Sequence, residues 1–373
     1  MSTMGDRFGG SRPVVVKLGS STVTTGTGDV DTDVIGRVSG EVAALARDGQ
    51  RLVVVTSGAI VCGWSALGRT GPRPSDLSVL QALSAVGQQR IMRAWQDALG
   101  EHGLLAGQVL LAPLDFGHRR QYLHARTTLQ RLWSLGVVPV VNENDAVADE
   151  EIRFGDNDRL AALVAHLVGA DLLVLLTDTP GLLSEDPRLG GTGSLIEEVL
   201  DVDECLLDVA GGPGSVGSGG MASKLAAARM ASRSGVRTVI ADGRRPSVVR
   251  DVVEGVPGVG TVCKPYAERM PARKLWIAYA LGASGRLVVD EGARRALVER
   301  GRSLLSAGVV ECLGHFVPDD AVEIADVDGR VFAKGLVRFS SKRAAEWVGR
   351  RSEDLAEDLS PVVVHRDDLV VLS

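Results

Sequence analysis

The chain has 373 residues, which at roughly 150 residues per domain allows two or three domains with cores of their own. A formal charge of −6, with 45% hydrophobic and 24% charged residues, excludes a disordered or fibrous chain and gives no general pull toward nucleic acid or an anionic membrane. Aromatics are only 4% of a chain that holds 45 glycines, a balance that suits a Val/Leu/Ala core with tight turns and favours α/β over an all-β sandwich.

The start, Met1 to Pro13, lacks the apolar stretch of a signal peptide, and no apolar run approaches the ~18 residues needed to span a bilayer. The sequence therefore reads as cytoplasmic. Cys62, Cys205, Cys263 and Cys312 are scattered, with neither a C-x-x-C pair nor a histidine at zinc-ligand spacing, and read as reduced core residues.

In chain order, Val14 to Leu18, Leu52 to Thr56, Val109 to Leu111, Val137 to Val141, Leu172 to Leu176 and Val236 to Ala241 read as strands. Several are nearly all Val and Leu, as parallel strands covered on both faces should be. Helical spacing fills Asp33 to Arg47, Ser78 to Leu99, Tyr122 to Leu135, Arg159 to Leu167 and Met221 to Ser234, with stop signals at Gly49, Gly100, Gly136, Gly169 and Gly235. Alternating strands and helices predict an α/β fold with a doubly wound, mainly parallel sheet and helices on both faces. This first domain is expected over residues 1–264. A basic, proline-punctuated segment predicts a linker over 265–283. Beyond it, Arg286 to Asp290, Val309 to Leu313, Ala321 to Ala325 and Val331 to Phe339 read as strands, with a helix near Ala293 to Arg300 and a turn at Asp328-Gly329. A small β-rich domain is thus expected over 284–373.

Polar groups cluster where the strands end. Lys17 precedes Gly19-Ser20-Ser21, and Ser57 and Gly58 follow the second strand, so backbone N–H groups and small hydroxyls share one sheet edge, suited to a phosphate or carboxylate. Ser57 lacks the G-x-S-x-G setting of a nucleophile. Asn142 to Asp158, NENDAVADEEIRFGDND, holds seven acids against the single base Arg153, a setting for an ammonium-bearing substrate, and its spacing is not that of an EF-hand. Ser218-Gly219-Gly220-Met221-Ala222-Ser223-Lys224 opens a helix with bare N–H groups beside a lysine, which is anion-binding geometry. It lacks Walker A spacing, and no strand precedes it as a dinucleotide fingerprint requires. Two separated lysines and Thr177-Asp178 after the fifth strand suggest a site for nucleotide phosphates. The six histidines form no ligand pattern.

Together, KLGSS at Lys17, VTSGAI at Val55 to Ile60, VNENDAV at Val141 to Val147, GDND at Gly155 to Asp158, LTD at Leu176 to Asp178 and GGMASK at Gly219 to Lys224 resemble the amino acid kinase family, in its glutamate kinase branch, over most of the chain. Leu287 to Ala293 and the β-rich segment after it look like the PUA domain that this branch carries. Two departures, Ser20 and Ser218 where relatives commonly have threonine, touch no charge. The resemblance implies a phosphotransferase with a carboxyl acceptor, using ATP and Mg²⁺ to convert L-glutamate to L-glutamyl 5-phosphate, the first step of proline biosynthesis. By similarity Lys17 and Lys224 clamp phosphates and Asp158 holds the lysines. Ser57, Asp145, Asn157 and Asn142 receive glutamate, with Asp145 on the α-ammonium. Thr177, Asp178 and Ser218 to Lys224 hold the nucleotide. The metal is expected on the ATP phosphates with no ligand set of its own. Also implied are proline as inhibitor, a homodimer or homotetramer, and hand-off to glutamyl phosphate reductase. A rival reading, RNA binding through PUA, meets 13 Lys/Arg against 16 Asp/Glu from Leu275 to Ser373, a net −3 that leaves no electrostatic footprint for RNA. A dehydrogenase is the third reading, separable by nicotinamide binding.

Overall fold

The computed structural model describes residues 12–69, 71, 74–147, 157–185, 193–200, 202, 220–266, 269–347 and 361–372. The chain divides into two compact units, Met1–Met270 and Pro271–Ser373.

In the first unit, β1 (Val14–Leu18) and β2 (Leu52–Val55) are buried along their whole length, which is why they are written almost entirely in Val and Leu. β3 (Leu105–Leu111), β4 (Val137–Glu143), β5 (Leu172–Thr177), β6 (Glu198–Val199), β7 (Arg237–Asp242) and β8 (Gly260–Cys263) complete an eight-stranded sheet. Its order is β3-β4-β2-β1-β5-β7-β8-β6. Every pairing is parallel except β7 with β8. Val15 lies opposite Val53 on one side and Leu173 on the other, so β1 is the centre of the sheet. From β1 the chain builds outward through β2 to β3 and β4, then returns to β5 on β1's other side. That reversal opens a crevice at the carboxyl ends of the strands, beside β1.

The helices are α1 (Ser20–Val23), α2 (Thr32–Arg47), α3 (Ala59–Ala66), α4 (Leu77–Gly100), α5 (Pro113–Gly117), α6 (Arg119–Ser134), α7 (Asn157–Val168), α8 (Met221–Arg233) and α9 (Val248–Glu254). Asp31 and Asp76 cap α2 and α4 by accepting from Val34 N and Val79 N. The expected stops at Gly49, Gly136, Gly169 and Gly235 are left-handed, but Gly100 is the last residue of α4 and the left-handed turn falls at Gly103. The helix runs on because the residues that follow Leu99 can still take one more turn before φ must change sign. β3 starts four residues earlier than its apolar run Val109 to Leu111, since Gly107 and Gln108 interrupt the hydrophobic signal on this edge strand.

Where α3 crosses α4 the two backbones touch. A Cβ on Gly63 would lie 2.0 Å from Leu83 O, and one on Gly87 would lie 1.8 Å from Ala59 O. Only glycine at both positions permits this approach, which brings Ser84, Gln88 and Trp95 of α4 to the ends of β2 and β4.

The second unit opens with a helical turn, Ala272–Leu275, and a π-type turn, Trp276–Ala280, inside the segment expected as linker; Leu275 and Ile277 are buried. Its six strands are β9 (Gly285–Val289), β10 (Leu304–Leu305), β11 (Val309–Gly314), β12 (Ala321–Ala325), β13 (Val331–Val337) and β14 (Val362–Val371), in the order β10-β14-β13-β12-β9-β11. Leu287, Val322, Ile324, Phe332 and Val364 lie in their shared core. Of these, β10 and β14 carried no sequence prediction. Among the described residues no helix is long and apolar enough to cross a membrane.

Candidate functional site

One end of the crevice is built from charge. Lys17, the fourth residue of β1, is 1% exposed, and Lys224, in the first turn of α8, is 4% exposed. Burying two ammonium groups is costly without a counter-charge. Asp158, fully buried at the start of α7, provides it: one carboxylate oxygen meets Lys17 Nζ and the other meets Lys224 Nζ at 3.2 Å. Ser223 Oγ donates to the same oxygen as Lys224, at 3.0 Å. Both cations are thereby held in position on one carboxylate and shielded from water. The N-terminus of α8 lies beside it, where Gly220 precedes the helix and, among the described residues, no side chain caps its first N–H groups. Thr177 closes β5 with its hydroxyl donating to Asp178 Oδ1 at 3.2 Å, and its carbonyl holds Gly243 N at 2.7 Å.

The other end is built from neutral amides. Asn142 at the end of β4 and Asn157 at the start of α7 are both buried. Asn157 Nδ2 donates to Thr56 O and to Asn142 Oδ1, each at 2.6 Å, and Asn142 Nδ2 donates to Gln88 Oε1 at 2.6 Å. Trp95 Nε1 steadies the same corner by donating to Thr56 Oγ1 at 3.1 Å. Ser57 is buried in the turn after β2, where Gly58 takes a φ of 92° and precedes α3. Ser84 Oγ donates to Asp145 Oδ2 at 3.2 Å, so the carboxylate in the short turn after β4 is held from α4.

Lys17, Lys224 and Asp158 are thus brought into direct contact, as are Asn142 and Asn157. Ser57 and Asp145 sit on the turns beside the amides, and Thr177 and Asp178 at the end of β5. Gly220, Met221, Ala222 and Ser223 lead into Lys224. Ser218 and Gly219 lie outside the described residues, as does the stretch 150–155. Ser84, Gln88 and Trp95 escaped sequence reasoning: on α4 they recur at core-facing helical spacing, and polar residues there carry no motif.

Titration sets the remaining candidates aside. Burial pushes the Cys62 thiol up to about 11 and that of Cys263 to about 12, so neither is a thiolate at neutral pH. Burial, followed by the charges of Arg126 and Arg269, pulls His166 down to about 4. Among the described residues no cluster of His, Cys, Asp or Glu could hold a metal ion.

The model of the amino acid kinase family matches residues 12–242, and that of the PUA domain matches residues 285–359. A protein of Syntrophotalea carbinolica called glutamate 5-kinase is 44% identical over 363 residues, 96% of each chain. The proteins of that name from Frankia casuarinae, 47% identical over 97% of each chain, and Thioalkalivibrio sulfidiphilus, 44% identical over the whole of both, are similarly related.

Proposed function

The chain belongs to the glutamate 5-kinases of the amino acid kinase family, and on that premise we propose that it transfers the γ-phosphoryl group of ATP to the γ-carboxylate of L-glutamate, forming L-glutamyl 5-phosphate and ADP, the first step of proline biosynthesis. The observation that carries this reading is the buried Lys17–Asp158–Lys224 cluster facing the same crevice as the amides of Asn142 and Asn157.

A carboxylate is already a nucleophile at pH 7, so no general base is needed, and catalysis consists of alignment and charge stabilisation. Lys17 and Lys224 neutralise charge as it moves from the γ-phosphoryl oxygens toward the β-phosphate. Asp158 keeps both ammonium groups in place and prevents their mutual repulsion. A preorganised donor of this kind is worth on the order of 10²–10³ in kcat. Ser57 receives a carboxylate of glutamate and Asp145 its α-ammonium, with Asn142 and Asn157 beside them at the acceptor position. Thr177, Asp178 and the start of α8 with the preceding Ser218 and Gly219 receive the nucleotide. Mg²⁺ would come with the substrate on its phosphate oxygens and would add charge neutralisation there.

ADP release with MgATP over L-glutamate, L-aspartate, N-acetyl-L-glutamate and UMP tests the proposal: glutamate should give the highest kcat/KM. Robust turnover of another acceptor with none on glutamate would overturn it. Proline shares the α-carboxylate and cationic nitrogen of glutamate and lacks the γ-carboxylate, so it should occupy the same Ser57 and Asp145 positions as an inhibitor. Glutamate saturation curves should then shift to higher KM with little change in kcat as proline rises, and superimposable curves up to millimolar proline would exclude it. A homodimer or homotetramer in the cytoplasm, passing its labile acyl phosphate to a glutamyl phosphate reductase, completes the reading.

A further inference from the structure

The turn that leaves β7 is held from α2, a helix some 200 residues earlier in the chain. Arg37 and Glu41 lie four positions apart on α2, which puts both on one face. Arg37 Nη2 donates to Gly243 O at 2.6 Å and its Nη1 to Arg244 O at 2.7 Å, while Glu41 Oε2 accepts from Val249 N at 2.7 Å and from Arg250 N at 3.3 Å. The guanidinium takes the carbonyls that enter the turn, and the carboxylate takes the N–H groups that leave it. Those N–H groups belong to the first turn of α9, whose own N-cap residue, Ser247, makes no side-chain capping bond, so Glu41 caps α9 from outside. Ser247 also takes a φ of 59°, a left-handed conformation that a residue with a side chain keeps only where its surroundings impose it.

Glu41 is more than an adhesive. Its Oε1 is buried with no partner among the described residues, and burial pushes its carboxyl up from the usual range against the pull of the two N–H groups and of Arg37. Val38 and Val42 of α2 and Val248, Val249 and Val252 of α9 are buried in one apolar core, so an apolar side chain at position 41 would join the two helices equally well. What the clasp adds is the placement of the turn. Asp242 is the register partner of Thr177, and next to it Gly243 donates its N–H to Thr177 O at 2.7 Å. Gly243 is closely bounded too: a Cβ there would stand 3.0 Å from the Thr22 methyl group of α1 and 3.2 Å from Leu176 Cβ. The turn therefore borders both the strand end that carries Thr177 and the short helix that follows Lys17.

We propose that Arg37 and Glu41 are positioning residues for the nucleotide: by clasping the turn 243–248 from α2 they fix Gly243 against Thr177 and Thr22, and so set the wall of the nucleotide end of the crevice. The inference rests on the functional reading above and deepens it. Loosening the clasp should weaken ATP and spare glutamate, because Ser57 and Asp145 follow β2 and β4, on the far side of β1 from β7.

The test uses full-length variants. Arg37→Met keeps an unbranched stem and loses both donors, so the MgATP KM and the ADP dissociation constant measured by calorimetry should each rise about tenfold, the scale of hydrogen bonds to a charged group. The glutamate KM at saturating MgATP should move less than about twofold. Glu41→Leu should act in the same direction, and the double variant should weaken ADP by much less than the product of the two single effects, since both work through one turn. Glu41→Gln keeps an oxygen for the α9 N–H groups and should stay within about threefold of wild type. A role in packing alone would lower the unfolding temperature and leave ADP affinity unmoved. That result, or equal weakening of glutamate and ATP in Arg37→Met, would overturn the inference. If Arg37→Met does not fold, Arg37→Lys, which keeps the charge and loses the planar fork, decides by the same readings. A wild-type protein inactive on glutamate would instead refute the functional reading.

Discussion

The two ends of the crevice solve different problems with different chemistry. The end we propose for the phosphoryl group, on β1, β5 and α8, uses full charges buried around Asp158; the end we propose for the acceptor, on β2, β4 and α4, uses neutral amides tied to backbone groups. Charge that moves during the reaction is best met by fixed charge, so the first end should govern kcat. Shape and hydrogen-bond direction discriminate between ground-state ligands, so the second should govern KM for the acceptor. On the proposed function, Asp158 serves catalysis by holding the two cations and carries no step of the chemistry itself.

The sharpest way to break this contrast is at its hinge. Asp158→Ala removes the buried carboxylate that both Lys17 and Lys224 contact. It should lower kcat by at least about 10³-fold and cost about 3–5 kcal/mol of stability, read by steady-state kinetics and urea denaturation. Lys224→Ala should lower kcat about a hundredfold, roughly 3 kcal/mol of transition-state stabilisation, and a near-normal kcat would remove it from the phosphoryl end. At the acceptor end, Asp145→Asn should raise the glutamate KM about tenfold while kcat falls less than about threefold. A loss confined to kcat would erase the division of labour.

The smallest effect concerns stability away from both ends. His166 on α7 is held neutral down to about pH 4 by burial and by Arg126 and Arg269, against an unfolded value near 6.5. The stability tied to its neutral form is fully present above pH 6.5 and is lost as pH falls from 6.5 toward 4, because the unfolded chain takes up the proton first. The slope is about 1.4 kcal/mol per pH unit, about 3 kcal/mol in all. His166→Gln should flatten the difference between unfolding free energies at pH 7 and pH 4.5; an unchanged difference would show that His166 titrates normally in the fold.

What could be read from the sequence follows the length scale of each signal. β1 and β5 were legible because burial on both faces writes an unbroken apolar run. The cluster of Lys17, Asp158 and Lys224 was legible only as motifs in order, since no local rule states that positions 141 and 66 residues apart share a carboxylate. Gln88 and Ser84 were hidden for the opposite reason: they sit in a helix whose periodicity reads as core, and their partners Asn142 and Asp145 come 54 and 61 residues later. β8 was lost because the antiparallel return β7–β8 breaks the strand–helix rhythm that made the rest of the sheet readable.

The central claim, that the crevice makes an acyl phosphate from a free carboxylate, is tested most directly by trapping the product. With MgATP, L-glutamate and hydroxylamine, the account predicts γ-glutamyl hydroxamate in a one-to-one ratio with ADP, and loss of both together in Lys224→Ala. ADP release without hydroxamate, or hydroxamate at a wild-type rate in Lys224→Ala, would contradict it.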